Sequence, residues 1–238
     1  MPIHVSASAL TDFIACQQKI YFRIFEKGEA VPTREMLMGT ITHKVLEKHW
    51  DNWERATDYG IELCKRYKLD KVAENSVTHF IITYFNNFSP MVTKDDKIEK
   101  KFKVKLVGDD VYLVGVFDRI TRGTIIDWKT SANPPKRIDN NVQFIIYDLA
   151  YKLLYKRPPE GLYLAALSDG SLVRYSESKD HADALITQII PDYIESIRKK
   201  SFIKTGLFNG SCYRCPFKVA CLGGEKSREL VRSGFIEK

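Results

Sequence analysis

Residues 111–129 read VYLVGVFDRITRGTIIDWK, and this stretch decides the fold of the chain. Two runs rich in β-branched and aromatic residues, 111–117 and 124–129, flank an Arg-Gly pair, which predicts two strands joined by a turn. A third run, 98–106, alternates polar and apolar residues and precedes them across a Gly-Asp-Asp turn at 108–110. The three runs predict an antiparallel meander.

Apolar residues at helical spacing predict helices on both sides of this meander. Ser8 is the predicted N-cap of the first helix, and Pro191 predicts a kink or a split in the last one. The order of helices, strands, helix, strands and helix predicts α/β or α+β layering. The predicted helices span 8–26, 35–54, 61–67, 72–88, 141–154 and 180–200, and the remaining strands span 161–167 and 172–175.

Composition limits the class of protein. The chain has 238 residues with 44 % hydrophobic and 12 % aromatic residues, which is enough for a sizeable core in one large domain or two small ones. Its 37 Lys+Arg and 30 Asp+Glu residues give a net charge of +7. This basic balance favours a polyanionic partner, most often nucleic acid, over the alternative of surplus surface lysine in a merely soluble protein.

The sequence also predicts a compartment. It contains no apolar run of about 18 residues, so no membrane span is expected, and the start MPIHVSASAL lacks the pattern of a signal peptide. A reducing, cytoplasmic location is therefore predicted. Five cysteines in such a compartment favour metal binding over disulfides. Cys64, in IELCKRY, is predicted to be an ordinary core or half-buried cysteine.

The other four cysteines form a constellation split between the two ends. Cys212, Cys215 and Cys221 have the spacing C-x2-C-x5-C, and Cys16 lies nearly two hundred residues earlier. Four thiolates can hold an iron–sulfur cluster or a structural zinc ion. Zinc favours paired C-x2-C knuckles, and only one such pair occurs, so the pattern favours an iron–sulfur cluster, with zinc or plain thiols as alternatives.

A second constellation lies at the end of the meander. Asp127 and Lys129 are two apart on a strand, so both project to one face, while Trp128 turns to the opposite, packed face. A carboxylate can hold a hard divalent cation, and a neighbouring lysine can orient or deprotonate a water and offset phosphate charge. A hairpin would bring Asp118 close to Asp127. An isolated D-x-K is more often a solvated surface pair, but Ile126 and its apolar neighbour place this one at the end of a core strand.

These residues resemble the PD-(D/E)XK nuclease superfamily, specifically its RecB-like branch. That branch includes the CRISPR-associated iron–sulfur exonucleases and the nuclease domain of the AddB helicase–nucleases. The resemblance runs from Val5 to about Leu222. The segments that carry it are Gly115-x-x-Asp118, Ile126-Asp127-x-Lys129-Thr130, Ser6-x-Ser8-x-Leu10 followed by Cys16, Gly39-Thr40-x-x-His43, Gln143-x-x-x-Tyr147 and the C-x2-C-x5-C spacing.

The resemblance implies roles for individual residues. His43, Asp118 and Asp127 would ligate Mg²⁺ or Mn²⁺, with the backbone carbonyl of Trp128 as a further ligand. Lys129 would assist the attacking water.

Three further residues receive roles in the same way. Gln143 and Tyr147, four apart on one helix face, would position DNA or the lysine. For Tyr147, packing among its apolar neighbours is the rival interpretation. Glu99 is a candidate accessory acidic group. Two departures from the family pattern are Gln17, where proline often follows the first cysteine, and Phe117 before Asp118.

The resemblance also implies the architecture. We expect a restriction-endonuclease-like core with a central mixed sheet flanked by helices, and a metal cluster that joins the two ends. A single domain spanning 1–238 is predicted, with a helical part at 1–95, the nuclease core at 96–200 and the cysteine loop and tail at 201–238.

The implied activity is that of a metal-dependent DNA nuclease, most simply an exonuclease, with a structural [4Fe–4S] cluster. Its substrate would be DNA that is single-stranded or has free ends. The alternatives are a non-catalytic iron–sulfur DNA-binding module of a larger complex and a CRISPR adaptation factor that trims spacer precursors with an integrase-type partner. A repair, recombination or phage nuclease is equally consistent. The sequence has no G-x-x-x-x-G-K-[ST] loop, so ATP-driven unwinding would need a helicase partner.

Overall fold

A computed structural model describes residues 2–26, 32–108, 110–213 and 215–222. It divides into two compact units, a larger one formed by Pro32–Ala182 and a smaller one formed by Met1–Val31 together with Asp183–Lys238. The single domain with its three parts stays a prediction. The predicted tail after residue 222 lies outside the described residues.

Helices and strands follow one another in the predicted order, except that the first strand and the last two short helices were not predicted. They are β1 (Ile3–Val5), α1 (Ala7–Ala15), α2 (Gln17–Ile24), α3 (Arg34–His49), α4 (Trp53–Arg66), α5 (Lys71–Asn87), β2 (Lys97–Val107), β3 (Val111–Thr121), β4 (Thr124–Lys129), α6 (Val142–Tyr155), β5 (Gly161–Ala166), β6 (Leu172–Arg174), α7 (Lys179–Ala184), α8 (Ile190–Lys199), α9 (Gly206–Asn209) and α10 (Lys218–Leu222).

The larger unit is built on a mixed sheet with the strand order β2-β3-β4-β5-β6. The pairs β2/β3, β3/β4 and β5/β6 are antiparallel, and β4/β5 is parallel. Ile126 and Trp128 on one face of β4 pack with Tyr84 of α5 in a single apolar core. On the other face, the ring of Phe117 lies 5.2 Å from that of Tyr147 on α6. The predicted fold class, a restriction-endonuclease-like α/β core with helices flanking a central mixed sheet, is confirmed.

The β3–β4 hairpin follows the predicted turn. Arg122 and Gly123 both have positive φ, 46° and 84°, the conformation that a two-residue hairpin turn requires. The hairpin pairs Arg119 with Ile126, and one step further along this register Asp118 faces Asp127. A short Arg-Gly turn thus sets which acidic residues meet.

The smaller unit joins the two ends of the sequence. Phe13 of α1 packs edge-on against Tyr193 of α8, with ring centroids 5.4 Å apart. The Tyr193 hydroxyl donates to the carbonyl of His4, 3.0 Å away. None of the helices that the structure describes is both long and apolar enough to cross a bilayer.

Three predicted helices differ in course from the observed ones, and the helix predicted over 61–67 begins earlier, at Trp53. The helix predicted over 8–26 is interrupted at Cys16, whose backbone is extended (φ −166°, ψ 115°), and its N-cap is Ser6, not Ser8. Apolar periodicity continues through the single extended residue, and no Gly or Pro marks it. The helix predicted over 35–54 ends at His49, because Asn52 caps a new helix, α4, by accepting from the Arg55 amide at 2.9 Å.

The third difference is in the last predicted helix, 180–200. It is divided by a π-helical turn, Leu185–Ile189, that precedes α8. Pro191 lies in the first turn of α8, where a helix does not need its missing amide hydrogen. The kink or split predicted from Pro191 thus takes the form of a π-helical turn several residues before the proline, in a segment that is helical throughout 179–199.

A buried ion pair ties the start of β2 to β3. Arg119 is 1 % exposed, its Nε donates to Asp96 Oδ2 at 2.8 Å, and an Nη donates to the carbonyl of Thr93 at 2.9 Å. The guanidinium lies 4.4 Å from the ring centroid of Trp50. Burial opposes ionisation of Asp96, but hydrogen bonds from the Thr93 amide and from Arg119 outweigh it and lower the pKa of this carboxyl.

Replacing Arg119 with alanine is expected to lower the free energy of unfolding by about 3–5 kcal/mol, because the buried Asp96 carboxylate keeps its hydrogen bonds from Thr93 but loses its cationic partner. Urea denaturation of Arg119→Ala measures the loss. The double variant Arg119→Met/Asp96→Leu should recover most of it, and Arg174→Ala on the exposed edge should change it by less than about 0.5 kcal/mol. A loss below about 1 kcal/mol for Arg119→Ala would contradict this account.

Candidate active site

Strand β4 presents Asp127 and Lys129 on one face and Trp128 on the other, as the alternation predicted. Trp128 is 3 % exposed and packs edge-on against Tyr84, with ring centroids 5.3 Å apart. Asp127 is 1 % exposed, and its Oδ2 lies 2.8 Å from Lys129 Nζ. The packed tryptophan therefore fixes the strand, and the charged pair faces the site.

Asp118 of β3 joins this face through the hairpin. Its Oδ2 accepts a hydrogen bond from the backbone amide of Trp128 at 2.9 Å, so strand pairing and side-chain placement reinforce each other. Burial, together with the nearby charge of Asp127, raises the pKa of Asp118 above that of an ordinary carboxyl. The predicted approach of Asp118 to Asp127 is confirmed.

Helix α3 brings His43 to the same place. Its Nε2 lies 3.1 Å from the carbonyl oxygen of Trp128, and its Nδ1 lies 3.6 Å from both Glu99 Oε1 and Asp118 Oδ2. Burial alone would lower the pKa of His43, but the surrounding carboxylates, Asp118 first, outweigh burial and raise it to about 9. The imidazole is therefore held as a cation by the acidic residues around it.

One turn before His43, a glycine allows the helix to approach β4. A Cβ placed on Gly39 would lie 3.3 Å from Thr130 Oγ1, closer than most real Cβ contacts. The predicted Gly39-Thr40-x-x-His43 segment thus has a packing basis, because the glycine lets α3 lie against the end of the strand that carries Asp127.

Glu99 is the residue whose importance the sequence understated. The pairs Ile98–Arg119 and Lys100–Phe117 place it opposite Asp118 in the β2/β3 register. Its backbone has a φ of 45°, a left-handed conformation that costs a non-glycine residue of order 1–3 kcal/mol. Glu99 and Asp118 lie at nearly equal distances along the sequence from the turn at Gly108. Pairing the two strands across that turn would therefore have placed Glu99 opposite Asp118 from the sequence alone.

His43, Glu99 and Asp118 converge tightly. Their ligand atoms all lie within 4.8 Å of one another, and among the residues that the structure describes no other set of three His, Cys, Asp or Glu side chains does so. Asp127 is not a member of this group, since its Oδ2 faces Lys129. Of the predicted metal ligands, His43 and Asp118 thus belong to the converging group, which Glu99 completes, while Asp127 lies beside it and is paired with Lys129.

Two side chains of helix α6 form hydrogen bonds with Asp127 and Lys129. Gln143 accepts from Lys129 Nζ through Oε1 at 2.7 Å and donates to Asp127 Oδ1 through Nε2 at 2.9 Å. Tyr147, one turn later, donates its hydroxyl hydrogen to Asp127 Oδ1 at 3.3 Å and accepts from Gln143 Nε2 at 2.8 Å. The two helical residues therefore fix the relative positions of the carboxylate and the lysine.

Tyr147 both packs in the core and joins the polar network of the site, and its part in the reaction stays a prediction. Its ring is 4 % exposed and packs against Phe117, while its hydroxyl belongs to the polar network. Burial, together with the charge of Asp127, raises the pKa of Tyr147 well above its ordinary value. The hydroxyl thus keeps its proton and serves as a donor.

The charge state of Lys129 follows from its neighbours. Burial would lower the pKa of Lys129, but the carboxylates of Asp127 and Asp118 outweigh burial and raise it. Asp127 Oδ2 receives no hydrogen bond from the described residues and has only this ion pair. A buried carboxylate oxygen of this kind, beside two further carboxylates and an imidazole, fits a hard divalent cation.

The site opens into a cleft of about 1080 Å³ in the larger unit. Helix α3 forms one wall, and the segment after β4 forms another. Its lining includes Met36, Thr40, His43, Lys44, Glu99, Lys129 and Thr130.

In the smaller unit, the four predicted cysteines line one pocket. Cys16 occupies the extended break between α1 and α2, and all four thiols are free. A Cβ placed on Gly206 would lie 3.1 Å from the Cβ of Cys16 and 3.2 Å from the Sγ of Cys212, so a glycine lets the backbone pass this pocket. Burial, with a smaller effect of the neighbouring cysteines, raises the pKa values of Cys212 and Cys221.

Cys64 takes no part in this pocket. It is fully buried in the apolar core formed by α3, α4 and α5 in the larger unit, as predicted for the fifth cysteine.

Comparison with known proteins gives a family and a fold. The model of the PD-(D/E)XK nuclease superfamily matches residues 4–222. A solved structure from Eubacterium rectale, named "Putative exonuclease", is similar with a TM-score of 0.63 and 11 % identity over 89 % of this chain and 88 % of that chain. A second, SSO0001, is 16 % identical over 92 % of this chain and 85 % of that chain, but its TM-score of 0.43 carries no argument. No curated protein matches the chain significantly.

At 11 % identity the Eubacterium rectale structure supports the fold alone, whereas the family model covers most of the sequence. The chain therefore belongs to the PD-(D/E)XK nuclease superfamily.

Proposed function

We propose that the chain is a metal-dependent DNA nuclease of the RecB-like branch, an exonuclease that hydrolyses phosphodiester bonds. One observation carries this proposal: His43, Glu99 and Asp118 converge beside an Asp127–Lys129 pair that is held from α6. The residue types match the chemistry, because a divalent cation needs oxygen and imidazole ligands and phosphate attack needs a nearby cation.

The ligands for Mg²⁺ or Mn²⁺ would be His43, Glu99, Asp118 and Asp127, with the carbonyl of Trp128 as a further donor. When bound, such an ion polarises the scissile phosphate and lowers the pKa of a coordinated water. The protein's own part is to hold several carboxylates close together, two of them buried, where a proton or a cation must relieve their mutual repulsion.

Lys129 acts as a charged donor in this proposal. Because neighbouring carboxylates raise its pKa, it keeps its proton and can orient the attacking water or offset charge on the phosphate. Gln143 and Tyr147 are positioning residues, since they contact Lys129 and Asp127 and so keep the donor and the carboxylate in register.

We also infer a structural [4Fe–4S] cluster in the smaller unit, held by Cys16, Cys212, Cys215 and Cys221. The four cysteines include only one C-x2-C pair, whereas a zinc site favours two such pairs, and this spacing supports the iron–sulfur cluster over zinc. Cys16 lies in α1–α2 and the others in the C-terminal segment, so a cluster would join the two ends of the sequence.

The arrangement of His43, Asp118, Asp127 and Lys129 favours catalysis over a non-catalytic DNA-binding module. A cytoplasmic location, a helicase or integrase-type partner, and a role in CRISPR adaptation, repair or recombination stay predictions.

Asp127→Asn tests the catalytic assignment. It should reduce cleavage of end-labelled DNA in Mn²⁺ by more than about 100-fold, since groups that merely orient metal ligands are worth about 10- to 100-fold. Asp58→Asn changes an exposed carboxylate on α4 in the same way and should cleave like the wild type. Equal cleavage by the wild type and Asp127→Asn, both correctly folded, would refute the proposal.

Tyr147→Phe separates the packing role of this residue from its hydroxyl. The ring remains, so the melting temperature should stay within a few degrees, as expected for loss of one hydrogen bond worth about 1 kcal/mol. The turnover number should fall by about 10- to 100-fold, because Asp127 loses a donor that fixes it. Unchanged turnover would show that Tyr147 contributes packing alone.

The cluster assignment predicts four iron atoms and four acid-labile sulfides per chain after anaerobic purification. Cys16→Ser should lose the iron and lower the thermal stability, whereas Cys64→Ser, at the cysteine outside the pocket, should retain the iron. Stoichiometric zinc in place of iron would show that the alternative occupant is correct, and wild-type protein without either metal would refute both.

A further inference from the structure

The C-terminal segment of the smaller unit is strongly basic. Between Glu195 and Glu225 the sequence contains six lysine and arginine residues and no aspartate or glutamate. This charge complements a polyanion, and phosphate contacts of this kind bind nucleic acid without reading its sequence. The six are Arg198, Lys199, Lys200, Lys204, Arg214 and Lys218, of which Arg214 lies outside the described residues.

The same segment exposes aromatic and aliphatic side chains. Phe208 is 91 % exposed and Tyr213 is 79 % exposed, and Ile203, Leu207 and Val219 are each more than half exposed. A cluster of large apolar side chains on the surface marks a binding surface more often than single exposed residues do.

Other aromatic residues of this unit are used for packing. Phe217 stacks on Phe22 with ring centroids 5.5 Å apart, and Phe202 lies 5.9 Å from Tyr21. Phe208 and Tyr213 stand out because their rings are turned to solvent within the same stretch of chain.

The backbone that carries these two rings is fixed by hydrogen bonds. Asn209 donates to the carbonyl of Ala15 at 2.8 Å and accepts from the amide of Ser211 at 3.0 Å. Gly210, with a φ of 76°, ends α9 and makes the turn between the two aromatic residues. An aromatic side chain on a held backbone loses little conformational entropy on binding, which favours contact with a flat partner.

We propose that Phe208 and Tyr213 are stacking positions for the bases of single-stranded DNA, with the basic residues of the same segment contacting its phosphates. Nucleobases offer an aromatic face whatever their identity, and proteins that hold single strands combine such stacking with a basic surface. In a duplex the base faces are covered by their neighbours, so this surface selects single strands. Lys218 Nζ, 5.9 Å from the Tyr213 ring centroid, supplies a cation next to a stacking ring. The inference rests on the proposed function for its choice of DNA and adds the residues that would hold the single strand.

The test is DNA binding by fluorescence anisotropy, in the Asp127→Asn background without added divalent metal. Three probes of equal length are compared: a mixed-sequence single strand, its abasic counterpart and the duplex. Phe208→Ala and Tyr213→Ala should each weaken binding of the single strand by about tenfold, the middle of the range for loss of one stacked base, and change binding of the other two probes by less than about twofold. Lys199→Ala should weaken binding of the single-stranded and abasic probes alike and lower the salt dependence.

Conservative variants separate stacking from general apolar contact. Phe208→Trp should restore binding of the single strand, whereas Phe208→Leu, which keeps apolar area, should not. Equal weakening on the single-stranded and abasic probes, or full binding by Phe208→Ala and Tyr213→Ala, would overturn the proposal. The binding assay involves no catalysis, so it tests the stacking proposal alone. The nuclease assignment is tested separately, by the cleavage assay of the wild-type protein.

Discussion

The site depends on neutralising the negative charge of carboxylates that are held close together, two of them buried. Asp118 and Asp127 are 7 % and 1 % exposed, and Glu99 lies opposite Asp118 across the β2/β3 pair. Acidic groups held this close, away from water, must be neutralised by a proton or a cation. Lys129 partners Asp127, and the imidazole of His43 lies beside the other two. The rest of the larger unit can be understood as the scaffold that keeps these groups together.

This constraint explains the state of the basic residues. The carboxylates raise the pKa of Lys129, and they raise that of His43 to about 9 although burial acts in the opposite direction. At neutral pH His43 therefore carries a proton in the absence of a metal, and a divalent cation bound through this imidazole must displace it. The same acidic environment that attracts a metal thus makes its binding depend on pH.

The sequence predicted those parts of the molecule that rest on local patterns. Alternation along β4 placed Asp127 and Trp128 on opposite faces, and an Arg-Gly turn predicted the hairpin that brings in Asp118. Patterns that depend on tertiary contacts were harder to predict. Glu99 acquires its role through strand register, and the extended break at Cys16 leaves no trace in apolar periodicity. Neither the β2/β3 register nor the extended backbone at Cys16 can be recognised from the composition of the surrounding segment.

The central claim is that β2, β3, β4 and α3 together build one divalent-cation site. Anomalous scattering from crystals grown anaerobically with saturating Mn²⁺ tests it most directly. The account predicts an anomalous peak in direct contact with the side chains of His43, Glu99, Asp118 and Asp127, with Lys129 displaced from Asp127 Oδ2. A manganese peak elsewhere in the protein, with none among these four side chains, would contradict it.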